Sequence, residues 1–392
     1  MSADNPFRPA PGGTPPALVG RDEESSVVRH AIHLSRNGGA GQPVVFVGLR
    51  GMGKTALLRR CITEASAGGA ITVYAEASVS ESLSTTLRLG LERAQRRSAS
   101  LPQKVRRGFE KVIEALPSAS FELPNDMGAI SLRGKQQESA DFVSALDDLN
   151  DATRRHGQHL VFAIDEIQDA PVDGLRDLIR FVHATASTDS PVYFLGAGLP
   201  SSREHLHKVR TYTERWRYLQ LELLTSQETR EAIAIPARER GVDIAAAALD
   251  RLAEESAGYP FFVQEFGSAA WNVHHGNAIT TEDVERAIPG IRKILENDFY
   301  DARFRRLTPR ECSYVLAMAD LGPGPRTVGE IADRFGTTSA VLSSIRNQLL
   351  KKGLIYSPFA GMVEFRIPLT ERYVTKHRAQ LERRARSGIE HR

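Results

Sequence analysis

Five short apolar runs punctuate the first half of the chain: Pro43–Val47, Ile71–Tyr74, Leu160–Ile164, Val192–Leu195 and Tyr218–Leu221. They are continuous rather than alternating, the pattern of strands buried on both faces of a parallel sheet. Segments of helical period separate them, beginning with Asp22–His33 and Ala56–Glu64, so residues 18–224 read as an α/β domain. The stretch from Arg97 to Glu138 is long for one crossover and predicts an inserted helical piece with no chemistry attached to it. After Leu224 the strand-like runs stop. Thr225-Ser226-Gln227-Glu228 has the form of a capping box, and helical patterns follow at about 226–240, 244–257, 261–274 and 281–287, giving a small helical domain over 225–290.

From about Arg306 the pattern changes again. Thr308-Pro309-Arg310-Glu311 predicts a capped helix start with proline at its first position, where the missing N–H costs nothing. Val328, Ile331, Ala332 and Phe335 form one apolar helical stripe, and Gly336-Thr337-Thr338 a turn. A second helix, Ser339–Lys352, is expected to bury Val341, Leu342, Ile345 and Leu349 and to leave Ser343, Arg346, Asn347 and Lys351 outside. Leu354–Tyr356 and Val363–Ile367 read as a hairpin. Together these predict a winged helix-turn-helix over 291–378, whose second helix is the element that enters a DNA major groove in such modules. A basic tail, 379–392, follows.

Composition narrows the class. The 392 residues carry 51 Lys+Arg, 48 Asp+Glu and 41% hydrophobic residues, which excludes disordered, fibrous and membrane-embedded proteins. No run approaches membrane-spanning length, and the Pro/Gly-rich residues 1–17 predict a flexible arm rather than a signal peptide. Two distant cysteines, Cys61 and Cys312, suit a reducing setting, so a soluble cytoplasmic protein with no membrane partner is expected. The net charge of +3 is unevenly distributed. Residues 291–392 hold 19 Lys+Arg against 11 Asp+Glu, or +8, leaving −5 on the rest. A basic end on an acidic body is the footprint of a module that meets phosphates.

The chemistry is concentrated at Gly48-Leu49-Arg50-Gly51-Met52-Gly53-Lys54-Thr55, a G-x-x-x-x-G-K-[ST] phosphate loop between a strand and a helix. Its glycines let backbone N–H groups close on phosphate oxygens at a helix N-terminus. Gly48, Gly51, Met52, Gly53, Lys54, Thr55 and Ala56 are therefore the expected nucleotide contacts, with Lys54 on the β- and γ-phosphates and the Thr55 hydroxyl on Mg²⁺. The strand Leu160–Ile164 ends in Asp165-Glu166. Asp165 is the expected metal-linked carboxylate and Glu166 the base that orients and deprotonates water; capping of the next helix is the alternative use of both.

With these two elements the chain resembles the AAA+ ATPases, most closely the initiator-like (origin-recognition type) and signal-transduction branch. Val19-Gly20-Arg21-Asp22-Glu23-Glu24, Gly258-Tyr259-Pro260 and the C-terminal winged-helix pattern add to the resemblance, which spans about Leu18–His377. It implies a P-loop NTPase parallel sheet with a helical lid, followed by the winged helix, and ATP with Mg²⁺ as cofactors. It further implies that Val19, Gly20 and Arg21 border the adenine and that the turn at Pro260 brings the lid onto the nucleotide. Arg215 or Arg217, before the fifth strand, would reach the γ-phosphate of a neighbouring copy in a homo-oligomer; as plain residues, both are equally well solvated. Two departures stand out: Gly196-Ala197-Gly198-Leu199-Pro200 lacks the polar side chain that senses γ-phosphate, and Phe261-Phe262 stand where an initiator often carries arginine. The expected partners are ATP/ADP and either double-stranded DNA or another protein at the winged helix.

Overall fold

The computed structural model describes residues 4–10, 12–39, 41–98, 101–116, 128–186, 190–367 and 369–387. The chain divides into two compact units, Gly20–Glu222 and, in the other, Met1–Val19 with Leu223–Arg392. Among the described residues no helix is long and apolar enough to cross a membrane.

In the first unit, five strands, β1 (Val44–Val47), β2 (Ile71–Glu76), β3 (Leu160–Asp165), β4 (Val192–Gly198) and β5 (Arg217–Gln220), form one parallel sheet in the order β2-β3-β4-β1-β5. Every apolar run became a strand. Val44 lies opposite Leu195 on one side and Arg217 on the other, and Ile71 opposite Leu160. β1, β3 and β4 are buried along their whole length, as continuous apolar runs require. From β1 the chain crosses two strands to reach β2, and such a reversal opens a crevice at the carboxyl ends of the strands, where ligands bind in open α/β sheets.

Among the described residues, seven helices accompany the sheet: α1 (Asp22–Arg36), α2 (Lys54–Ala67), α3 (Leu83–Arg97), α4 (Gln103–Ala115), α5 (Gly128–Arg155), α6 (Val172–Ala186) and α7 (Ser202–Val209). The inserted piece is α4 and the start of α5; residues 117–127 of that stretch lie outside the described residues. It extends the core, since Val105, Phe109 and Val112 of α4 are buried with Leu146 and Leu149 of α5. Gly108 permits this close packing: a Cβ there would stand 3.0 Å from the Leu149 side chain.

The second unit carries α8 (Ser226–Glu239), β6 (Asp243–Ile244), α9 (Ala246–Ser256), α10 (Pro260–Val273), β7 (Ala278–Ile279) and α11 (Thr281–Leu295). The Thr225/Glu228 capping box forms, and a second one, Thr280/Asp283, starts α11. Strands do not stop after Leu224 as expected. β6 and β7 pair in parallel over two residues each, too few to leave a periodic signal. α11 also continues past Ala287 and through Pro289, because its buried stripe of Val284, Ile288, Ile291 and Leu295 continues at helical spacing. Residue 290, the expected end of the helical domain, therefore lies inside α11. A π-helical turn, Glu296–Asp301, leads into the single turn α12 (Ala302–Phe304).

The N-terminal arm is docked rather than free. Phe7 is buried edge-on to Trp271, 6.5 Å between ring centroids, and lies over Gly267, where a Cβ would be 2.5 Å from its ring. Asn5 Nδ2 donates to Ser268 Oγ and Asn272 Oδ1, both at 2.9 Å, so one aromatic side chain and one amide anchor a segment whose composition predicted flexibility.

The remaining elements are α13 (Pro309–Asp320), β8 (Arg326–Thr327), α14 (Val328–Phe335), α15 (Ser339–Lys351), β9 (Ile355–Tyr356), β10 (Met362–Phe365), α16 (Thr370–Lys376) and α17 (Arg378–Arg386). β8, β10 and β9 form a three-stranded antiparallel sheet in that order. The Thr308/Glu311 box caps α13 with Pro309 at its first position, and Thr327/Glu330 caps α14. On α15 the buried stripe is Leu342, Ile345 and Leu349; Val341, expected in it, is one residue out of phase and exposed. The expected basic tail is helical up to Arg386 and buries Leu381. Arg384 there donates to the carbonyls of Phe304, Arg305 and Leu307, so part of the C-terminal positive charge closes a helix end instead of facing solvent.

Candidate nucleotide site

Three turns meet at the carboxyl ends of β1, β3 and β4. The first is the glycine loop. Gly51 and Gly53 adopt φ of +81° and +86°, left-handed values that glycine reaches without the penalty a Cβ brings. Gly48 serves a different need, since its N–H donates to the Gly198 carbonyl at 3.2 Å and a Cβ there would crowd Leu221 at 3.3 Å. Lys54 opens α2 directly after the left-handed Gly53, and its buried Nζ donates to the Leu49 carbonyl of the loop at 2.9 Å. The ammonium thus sits within the curl of the loop, at the positive end of the α2 dipole, an arrangement suited to an anion. Met52 and Ala56 are buried beside it.

The second turn follows β3. Asp165 is 1% exposed and receives hydrogen bonds from the Thr55 hydroxyl, from the Glu166 N–H at 2.9 Å and from the Tyr74 hydroxyl at 3.1 Å. Burial pushes its carboxyl above the ordinary value, and those three donors act against that rise. The same burial, with the Asp165 charge, pushes the Tyr74 phenol up, so it stays a donor. Glu166 has a left-handed backbone, φ +48° and ψ +41°, uncommon for a residue with a side chain and costing on the order of 1–3 kcal/mol. Its carboxylate accepts from Gln168 Nε2 at 2.7 Å.

The third turn follows β4. Gly198 and Leu199 present no polar side chain, but the Leu199 N–H and the Ser202 hydroxyl donate to Gln168 Oε1 at 2.8 and 3.2 Å.

The structure therefore brings Lys54, Thr55, Asp165 and Glu166 together, along with two residues that the sequence did not single out, Tyr74 and Gln168. Gly20 takes φ +69°. Arg21 is buried, and its guanidinium donates to the carbonyls of Gly20, Met52 and Glu222, the last at 2.7 Å, so it stitches the loop to the end of the sheet. Val19 is half-buried and falls in the other unit. Arg215 and Arg217 are both exposed on either side of the buried Trp216, at the start of the edge strand β5. Pro260 is the first residue of α10; before it, Gly258 has φ +72°, and a Cβ there would overlap the Leu224 carbonyl oxygen. Phe262 is buried against Tyr259, 4.7 Å between ring centroids, which accounts for an aromatic at that point. On α15, Ser343, Asn347 and Lys351 are exposed and Arg346 is half-buried.

The AAA ATPase domain family matches residues 17–195, the segment that holds the glycine loop and the turn after β3. The fold is that of an AAA+ P-loop ATPase. A domain of unknown function (DUF8462) matches residues 297–374. Among solved structures, the Walker-type ATPase PABY2304 of Pyrococcus abyssi is 16% identical with a TM-score of 0.58, covering 91% of this chain and 96% of its own. Cdc6p from Pyrobaculum aerophilum is 13% identical over 96% of this chain and 97% of its own, with a TM-score of 0.47. The RuvB Holliday junction branch migration motor of Thermotoga maritima is 15% identical over 91% and 95%, with a TM-score of 0.45. No curated protein matches the chain in sequence.

Proposed function

We propose that this chain is a Mg²⁺-dependent ATPase of the AAA+ type that couples ATP binding and hydrolysis to a change in conformation, and that it binds double-stranded DNA through a C-terminal winged helix. The observation that carries the ATPase reading is the hydrogen bond from Thr55 to the buried Asp165 carboxylate, directly beside Lys54 and the left-handed glycines. A hydroxyl and a carboxylate in contact are an oxygen donor pair suited to Mg²⁺, which takes few protein ligands and completes its shell with phosphate and water. Thr55 and Asp165 would hold the ion, which when bound neutralises charge between the β- and γ-phosphates. Lys54 would bind the same phosphates, the loop N–H groups would fix their orientation, and Glu166 would accept the proton of the attacking water at its carboxylate.

The remaining assignments follow the resemblance. Val19, Gly20 and Pro260 would border the base, while Arg21 shapes the loop through its carbonyl contacts. Arg215 or Arg217 would complete the site of a neighbouring copy. The setting would be cytoplasmic.

For DNA, the support is the +8 charge of residues 291–392 and the order helix, strand, two helices, hairpin from α13 to β10, with Ser343, Asn347 and Lys351 exposed on the second of the two helices. A second reading has its own support. Val341 on α15 and Phe359 in the hairpin turn are exposed apolar side chains, as on a protein-facing winged helix serving a slow nucleotide-dependent switch. Binding to duplex DNA at two salt concentrations separates the two. With about four phosphate contacts, affinity should fall about 100-fold between roughly 50 and 200 mM salt, and Lys351→Ala should reduce the salt slope by about one. Absence of binding at the lower salt would overturn the DNA reading in favour of the switch.

A further inference from the structure

We propose that Gln168 is the positioning residue of this site: it holds the Glu166 carboxylate and ties it to the loop after β4, supplying the polar group that β4 itself lacks. The proposal rests on Glu166 as the general base. The Leu199 N–H can only donate, so Gln168 Oε1 must face it at 2.8 Å, and Nε2 must then face Glu166 Oε2 at 2.7 Å. Ser202 Oγ donates to the same Oε1 at 3.2 Å and fixes the carboxamide further.

This span of contacts is not ordinary capping of the turn Ile167–Asp169, because the side chain reaches partners 31 and 34 residues ahead. Gly198 shows the same relation from the strand side. A Cβ there would lie 2.6 Å from Gln168 Oε1 and overlap Ser202 Oγ, so the place for a side chain on the last residue of β4 is already filled by the Gln168 amide. The missing sensing side chain and the amide are thus one feature. With Oε2 of Glu166 held, Oε1 is left to take the proton of water. A shift of the Leu199 backbone on nucleotide binding would pass through one side chain to the base.

Two measurements test this. In protein labelled with ¹⁵N-glutamine, the side-chain NH₂ resonances of Gln168, identified by their loss in Gln168→Leu, should move when Glu166 is changed to Ala; unmoved resonances would overturn the contact without reference to turnover. In steady-state ATP hydrolysis with Mg²⁺, Gln168→Leu should lower kcat at least about tenfold and leave KM within about threefold. Gln168→Glu keeps the acceptor for Leu199 and Ser202 but replaces the donor to Glu166 with a second carboxyl that must repel Glu166 or share a proton with it, so it should slow turnover at least as much as Gln168→Leu. Wild-type kcat in Gln168→Glu would overturn the proposal and leave the base reading intact. Normal turnover in Glu166→Gln would instead overturn the base reading, and the positioning role with it.

Discussion

Lys54→Ala should weaken Mg-ATP binding about 100-fold, the loss of roughly 3 kcal/mol of charge-assisted hydrogen bonding to two phosphates. The size follows from where the ammonium sits. Lys54 is buried at the head of α2, and its Nζ already engages the Leu49 carbonyl of the glycine loop, so the charge is held at the phosphate site by the loop itself. An alanine keeps helix propensity at the head of α2 and leaves the left-handed Gly53 untouched, so the fold should survive. Equilibrium titration with a fluorescent ATP analogue reads the affinity, and a thermal melt near that of wild type shows that the loss is local. Affinity within about threefold of wild type would remove Lys54 from the phosphate site.

Glu166→Gln should bind Mg-ATP as wild type does and hydrolyse it at least about 100-fold more slowly, the usual contribution of a positioned base. The substitution preserves size and leaves an amide oxygen that accepts from Gln168, so the turn at φ +48° keeps its support. What is lost is the capacity to take a proton. Phosphate release under single-turnover conditions measures this directly. If the variant turns over normally, Glu166 is not the base, and a role in capping the turn becomes the better account.

The parts of this site differ in how much of themselves they show in sequence. Lys54, Thr55, Asp165 and Glu166 were legible because phosphate and metal chemistry demands those residue types at fixed places after continuous apolar strands. Tyr74 and Gln168 were not, since an amide or phenol becomes part of a site only through what it reaches. Gln168 finds its acceptor partner two residues away but its donors beyond β4, a distance no local pattern encodes. Gly198 carried the one available signal, an apparent defect at a strand end that the amide explains.

The fold divides similarly. Five strands announced themselves as apolar runs, whereas β6 and β7, two residues each, had no period to read. The helical pattern was expected only as far as Ala287, yet the stripe Val284, Ile288, Ile291 and Leu295 carries the helix on and outweighs the hydrogen bond missing at Pro289. Phe7 and Asn5 overrode the composition of the arm through specific contacts on α10.

The central claim is that nucleotide at the P-loop governs what the C-terminal module does. It is tested most directly by the affinity of Glu166→Gln for duplex DNA at low salt, measured with ATP, with ADP and without nucleotide, beside Lys54→Ala under the same conditions. The account predicts an affinity that differs at least about tenfold between the ATP-bound and nucleotide-free states of Glu166→Gln, and no response to ATP in Lys54→Ala. Equal affinity in every nucleotide state would contradict it.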